Sequence, residues 1–216
     1  MKTVSQGLAA FFLSGLALGA SRAAPPYALP DNLPAREPGL WESVVTGMRG
    51  PNEIERITRY CLDAHADRAL HELDVLSREL SVIYEDVGCR PPEYTVSGNV
   101  LHATLMCRTN RSDDSEQAGQ DFNWTLTYNS EREVLVKMHS ASRDTLIMDS
   151  EDLTGRQRWL GACTPGHKPG DMRDVRFTVN GKPGHKSPPD NVFESVKITT
   201  KMLNEAIDIN RRLGPM

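Results

Sequence analysis

The sequence lacks the compact motifs by which most catalytic and nucleotide-binding sites are recognised. It has no HExxH pair, no glycine-rich phosphate loop, no nucleophile elbow and no kinase signature. No two of its four cysteines form a CxxC pair, which argues against a closed zinc site. The chain also lacks a basic patch rich in aromatic residues, and its net charge is −4. We therefore expect no cofactor, no metal and no nucleic-acid partner.

The sequence also has no apolar run long enough to cross a bilayer as a helix. Its longest such run, Leu8 to Ala20, is too short to span and follows the positive residue Lys2. Ser21-Arg22-Ala23 then offers small residues where a signal peptidase reads them. These features predict a signal peptide over residues 1–23, with cleavage before Ala24. A buried N-terminal helix is the alternative. We expect an exported protein, periplasmic or secreted, with no transmembrane segment.

Four cysteines in an exported chain usually form two disulfides. They are Cys61, Cys89, Cys107 and Cys163. Cys89 and Cys107 flank a predicted hairpin around Gly98. A three-residue loop would place these two cysteines opposite each other, whereas a two-residue loop would place them on opposite faces. Cys89–Cys107 with Cys61–Cys163 is the favoured pairing, and the other pairings stay open.

Most of the chain after residue 37 alternates between short β-prone runs and turns. Residues 24–37 are rich in proline and have no hydrophobic period, which predicts an extended linker. The predicted strands cover Leu40–Val45, Glu55–Leu62, Tyr94–Val96, Val100–Cys107, Phe122–Tyr128, Val134–Met138, Thr145–Met148 and Leu153–Leu160. Strands joined in sequence predict a mainly β (α+β) fold, an antiparallel meander that forms a curved sheet or open barrel.

Two helices are predicted in addition to the strands. Asp63 resembles a helix N-cap, and a leucine stripe follows it at helical spacing. The stripe consists of Leu70, Leu73, Leu76 and Leu80, and we expect it to cover the sheet. A C-terminal helix is indicated by Val192, Val196, Leu203, Ala206 and Ile207. The sequence thus predicts a disulfide-stapled β domain over residues 38–163 and a C-terminal extension over residues 164–216.

The densest polar cluster lies at the start of the first predicted helix and comprises Asp63, His65, Asp67 and His71. A carboxylate–imidazole patch of this kind could bind a divalent cation or serve as acid and base. The alternative, which the pattern favours, is a solvated helix face opposite the leucines.

Two further sets of residues have alternative interpretations. His167 and His185 recur in two Pro-Gly-His-Lys turns, which could hold an ion or could simply be turns. Trp41, Trp124 and Trp159 each lie on a predicted strand. They are interpreted as core, or as the lining of a concave face that holds an apolar ligand.

The motif at the start of the β domain resembles a known family. Pro38, Gly39, Leu40, Trp41 and Glu42, followed by the four ordered cysteines, resemble the bacterial domain-of-unknown-function family numbered 3617. The resemblance covers about residues 38–163. It implies an exported bacterial protein and no known activity or catalytic residue. The leucine-rich helix and the extension depart from the usual pattern of that family.

Taken together, these observations predict a non-catalytic binding or interaction module of the cell envelope. Its partner would be another envelope protein or a small ligand. The alternatives are a carrier of a small apolar ligand, or a hydrolase-like periplasmic enzyme that uses His65, Asp67 and His71 or the tail histidines.

Overall fold

A computed structural model of the chain describes residues 29–83, 87–109, 119–142 and 150–213. The predicted signal peptide and the predicted strand Thr145–Met148 lie outside these residues. Within the described part, the chain forms eleven strands and two helices. The strands are β1 (Gly39–Arg49), β2 (Asn52–Leu62), β3 (Val87–Cys89), β4 (Glu93–Ser97), β5 (Val100–Thr109), β6 (Gly119–Ser130), β7 (Glu133–Ser142), β8 (Glu151–Gly161), β9 (Asp171–Val179), β10 (Lys182–Pro183) and β11 (Asp190–Asn191). The helices are α1 (Ala64–Ile83) and α2 (Val192–Leu213).

All strands belong to one antiparallel sheet. Its order is β10-β9-β2-β1-β8-β7-β6-β5-β3, with β4 paired to β5 and β11 paired to β9. The sheet is open, since β10 and β3 end the order without pairing to each other. The predicted fold class is confirmed: a mainly β antiparallel sheet with one inserted helix and one C-terminal helix.

One face of the sheet, called the inner face here, carries the buried side chains. In β6, Phe122, Trp124, Leu126 and Tyr128 are buried, and the residues between them are more exposed. Such alternation is expected because successive side chains of a strand point to opposite faces. The inner face therefore supplies the sheet's contribution to the core.

Helix α1 crosses the inner face because it connects β2 to β3, which five other strands separate in the sheet. Asp63 caps its N-terminus as predicted, since Asp63 Oδ1 accepts a hydrogen bond from the Ala66 amide at 2.8 Å. The leucine stripe is divided between two partners. Leu70 and Leu73 pack against the sheet core, and Leu76 with Leu80 packs against α2. Neither helix of the described residues is long and apolar enough to cross a membrane.

The four cysteines form the favoured pairs, Cys61–Cys163 and Cys89–Cys107. The hairpin between β4 and β5 has a two-residue loop, because Ser97 pairs with Val100. In an unbroken ladder this loop would offset the two cysteines. The ladder is broken between β3 and β4, however, and the register shifts so that Cys89 pairs directly with Cys107. Pro91 and Pro92 lie in this break, where they need not donate a ladder hydrogen bond.

The start of β1 depends on Gly39, which lies directly against β8. Its φ is +144°, a conformation that side chains with a Cβ rarely adopt. A Cβ added at Gly39 would overlap the carbonyl oxygen of Gly161 and the indole nitrogen of Trp159. The glycine thus allows close approach of the two strands, while Trp41 two residues later is completely buried.

We predict that Gly39→Ala lowers the free energy of unfolding by about 3 kcal/mol, because the new methyl group meets backbone atoms that cannot move alone. The matched control is Gly98→Ala, at φ +58° with no atom within 4 Å of the added Cβ. It should cost only about 1 kcal/mol. Urea unfolding of both variants measures the difference, and equal losses would contradict the close-approach explanation.

Candidate functional site

A cavity of about 900 Å³ lies between the inner face and the two helices. Its floor is apolar and comes from β6, β7 and β8. The floor residues are Phe122, Trp124, Leu126, Val136, Met138 and Leu153. The helices contribute Leu70, Leu73, Ser77, Ser81, Ser195 and Thr199. Because several of the helix residues are small, they leave the space above the aromatic floor unfilled.

A polar group of residues, called the Arg36 cluster here, forms one end of this cavity. It consists of Arg36, Tyr60, Asp67, His71 and Gln157. Arg36 donates from Nε to Asp67 Oδ1 at 2.8 Å and from Nη1 to Gln157 Oε1 at 2.7 Å. The guanidinium therefore connects the segment before β1 with α1 and with β8. All members except Asp67 line the cavity.

Burial and the Arg36–Asp67 ion pair determine which side chains of the Arg36 cluster are charged. Burial alone would lower the pKa of Arg36, but the Asp67 carboxylate raises it above its ordinary value, so the guanidinium stays charged. Burial lowers the pKa of His71 to about 4, although Asp67 Oδ1 lies 3.8 Å from its Nε2. His71 is therefore a neutral imidazole at neutral pH.

A second arginine, Arg78 of α1, packs onto the aromatic floor. Its guanidinium carbon lies 5.0 Å from the ring centre of Trp124 and 5.5 Å from that of Phe122. Its Nη2 donates to Asp74 Oδ1 at 2.9 Å, one helical turn earlier. This contact holds α1 against the sheet above the cavity.

Two more arginines lie in the cavity wall, and each is paired with a carboxylate. Arg49 pairs with Glu151, and Arg56 donates to both oxygens of Asp174 at 2.8 and 2.9 Å. Together with Arg36 and Arg78, all four arginines of the lining thus have acidic partners. The cavity wall contains no uncompensated guanidinium among the residues described.

The structure brings together two of the four residues in the predicted polar cluster. Asp67 and His71 meet at the Arg36 cluster, whereas Asp63 caps the helix and His65 is exposed. The interpretation as a solvated face fits His65 but is wrong for His71, which is only 9% exposed. The role of these residues as a functional site stays a prediction.

Three members of the cluster, Arg36, Tyr60 and Gln157, were not singled out by the sequence. Arg36 lies in the segment that its prolines identify as a linker, yet it is buried, and the neighbouring Leu33 packs on the core. The only local signal is a lone arginine just before the Pro-Gly-Leu-Trp-Glu motif. Such a signal does not indicate a partner that is distant in sequence.

The tail histidines do not share a cavity. His167 lines a second cavity of about 500 Å³ near the start of β9, while His185 is exposed and lines neither cavity. Across the described ranges, no group of three or more histidine, cysteine, aspartate or glutamate residues is placed to hold a metal ion.

Both interpretations of the tryptophans apply, to different residues. Trp124 lines the cavity, and Trp41 is completely buried in the core. Trp159 donates from Nε1 to the Pro38 carbonyl at 3.1 Å, and Arg132 stacks on its ring at 4.4 Å. Only Trp124 is thus placed to contact a molecule in the cavity.

The Arg36 cluster is poorly suited to general-base chemistry. A general base works best when its pKa is near the operating pH, and the pKa of His71 is far below neutrality. The neighbouring Asp67 carboxylate already accepts a hydrogen bond from Arg36. The site can therefore offer hydrogen bonds and apolar contact, but its imidazole is a weak proton acceptor.

We predict that Arg36→Met lowers the free energy of unfolding by about 3 kcal/mol, because it leaves the Asp67 carboxylate without its buried partner. The double variant Arg36→Met with Asp67→Asn should lose less than the sum of the two single variants. Arg68→Met, at an exposed position of α1 next to Asp67, is the control in urea unfolding. A loss at Arg36 no larger than that at Arg68 would contradict a stabilising role for the pair.

We also predict that His71 makes the fold less stable as the pH falls. Its pKa is lowered in the folded state, so between about pH 6.5 and pH 4 the unfolded chain binds a proton that the folded chain does not. The free energy of unfolding should fall in this window by up to about 3 kcal/mol from His71. In His71→Gln this part of the fall should be absent.

Urea unfolding at pH 7.5, 6 and 5 measures this slope, with His65→Gln as the exposed control. Burial raises the pKa of Glu79 to about 7 and acts in the opposite direction. Because Glu79 is present in every variant, its contribution cancels in the comparison. Identical slopes in wild type and His71→Gln would rule out the predicted effect.

Comparison with known proteins gives one family match. A protein-family model described as "Protein of unknown function (DUF3617)" matches residues 36–163, more than half of the chain. The matched range begins at Arg36, ends at Cys163 and includes the whole cavity floor. Strands β9 to β11 and helix α2 lie beyond it. No curated protein and no protein of solved structure matches the chain.

Proposed function

The chain belongs to the family "Protein of unknown function (DUF3617)", and we propose that it is an exported, non-catalytic protein that binds a small, largely apolar molecule in the cavity under α1 and α2. The observation that carries the proposal is the cavity itself. Its volume of about 900 Å³ falls within the range of about 300–1,000 Å³ typical of small-molecule sites.

The lining of the cavity supports an apolar ligand. Phe122 and Trp124 form an aromatic surface at its floor, and aliphatic side chains from β7 and β8 continue that surface. Polar groups are concentrated at the Arg36 cluster and at the paired arginines. A mostly apolar site with a few placed polar groups is typical of pockets that bind and orient small molecules.

Export is the second part of the proposal. Two disulfides are the form expected in an oxidising compartment, and four cysteines would stay reduced in most cytosolic proteins. The charged, apolar and small-residue segments of residues 1–23 support a signal peptide. We propose the periplasm as the compartment because the family resemblance is bacterial.

We predict that Val136→Trp abolishes ligand binding by filling the cavity from its floor. The control is Leu135→Trp, which adds the same side chain to the neighbouring residue of β7, on the opposite face, where Leu135 is 39% exposed. The probe is N-phenyl-1-naphthylamine, whose fluorescence increases in apolar surroundings. Wild type and Leu135→Trp should bind it saturably, and Val136→Trp should bind it at least tenfold more weakly.

Overpacking by tryptophan costs about 1–3 kcal/mol of stability, so the fold of each variant is checked by circular dichroism and urea unfolding. Val136→Phe is the smaller replacement if the tryptophan variant does not fold. The proposed function fails if wild type shows no saturable binding, or if folded variants at positions 135 and 136 bind equally well.

A further inference from the structure

The hydroxyl of Tyr60 is a hydrogen-bond donor without a partner at the polar end of the cavity. Tyr60 is 5% exposed and lines the cavity. Its hydroxyl lies close enough to Arg36 and Ser43 to interact with both, but it reaches the geometry of a regular hydrogen bond with no described residue. Burial raises its pKa, so the hydroxyl keeps its proton. Buried polar atoms rarely lack a partner, so this hydroxyl is suited to an acceptor on a bound molecule.

Gln157 provides a second donor at the same end. Its Oε1 accepts a hydrogen bond from Arg36 Nη1 at 2.7 Å, which fixes the orientation of the amide. The amide nitrogen makes no hydrogen bond to any described residue and belongs to a side chain in the cavity wall. The Arg36 guanidinium is itself only a donor. Tyr60, Gln157 and Arg36 therefore offer donors at the polar end, and these donors are suited to acceptors on a bound molecule.

The charge of the wall selects against an ionised ligand head. The guanidinium of Arg36 is already neutralised by Asp67, and the other three arginines are paired as well. A carboxylate head would bring a net negative charge into a buried site without a free cation to balance it. An ammonium head would lie against the Arg36 guanidinium and would also lose its hydration.

From these donors and this charge balance we infer that the ligand is an amphiphile with an uncharged, hydrogen-bond-accepting head, such as the carbonyl of an ester. The head lies at Tyr60 and Gln157, and the apolar part covers the floor at Phe122 and Trp124. This inference rests on the proposed ligand-binding function and assigns the chemical class of the ligand.

The test uses three probes that share one twelve-carbon chain and differ in the head. Methyl dodecanoate, dodecanoate and dodecylammonium compete with N-phenyl-1-naphthylamine for the full chain at pH 7.5, with the two ions below their micelle concentrations and the ester below its solubility limit. We expect the methyl ester to displace the reporter at the lowest concentration, with the two ions at least tenfold weaker.

Tyr60→Phe then separates the hydroxyl from the shape of the ring. It should weaken binding of the methyl ester about fivefold relative to any change in the affinity for the reporter, because about fivefold is the factor for one neutral hydrogen bond. The matched control is Tyr94→Phe, which removes another buried hydroxyl without a partner from a residue outside the cavity lining. It should change neither affinity.

Each outcome has a separate meaning. Tightest binding by dodecanoate or dodecylammonium, or equal effects of Tyr60→Phe and Tyr94→Phe on the ester, would overturn the assignment of the head. In either case the difference between Val136→Trp and Leu135→Trp would persist. If the wild-type protein shows no saturable binding of the reporter, the proposed function itself is overturned.

Discussion

The antiparallel ladder between β1 and β8 is the constraint on which the rest of the structure depends. It pairs Trp41 with Trp159 and joins the β2–β1 hairpin to the β5–β8 meander. Gly39 permits the close approach of the two strands at one end of this ladder. Because β1 lies between β2 and β8, the strands β2 and β3 that flank α1 in the chain are far apart in the sheet. The helix must therefore cross the inner face, and the space beneath it is the cavity.

The Arg36–Asp67 pair positions that helix at the polar end of the cavity. It connects the segment before β1 to the first turn of α1, and Gln157 extends the connection to β8. A buried ion pair adds little net stability compared with apolar packing, but its geometry is specific. We interpret the pair as a device that fixes where α1 begins over the sheet, while Arg78 on Trp124 fixes the helix over the floor.

Local pattern was enough to predict most of the strands, the N-cap and the two disulfides, but not the short strands β3, β10 and β11 or the site. The alternation of buried and exposed side chains in β6 and the cap at Asp63 depend on residues that are neighbours in sequence. Both could therefore be predicted from the sequence. The Cys89–Cys107 pair was favoured, although its register depends on the break at Pro91 and Pro92 and not on a three-residue loop. The role of Arg36 and the burial of His71 depend on contacts between segments that are distant in sequence. A cavity between a helix and a sheet leaves no periodic pattern in the sequence, so it could not be predicted.

The C-terminal extension lies outside the family match, yet it completes the wall of the cavity. The Gly170 amide donates to the Cys61 carbonyl and the Val192 amide donates to the Gly170 carbonyl, both at 2.8 Å. These bonds, next to the Cys61–Cys163 disulfide, hold the start of α2 at the end of β2. From there α2 packs on α1 and brings Ser195 and Thr199 to the cavity. The matched region thus supplies the floor and the polar end, and the extension supplies a side wall that shapes what this particular chain can enclose.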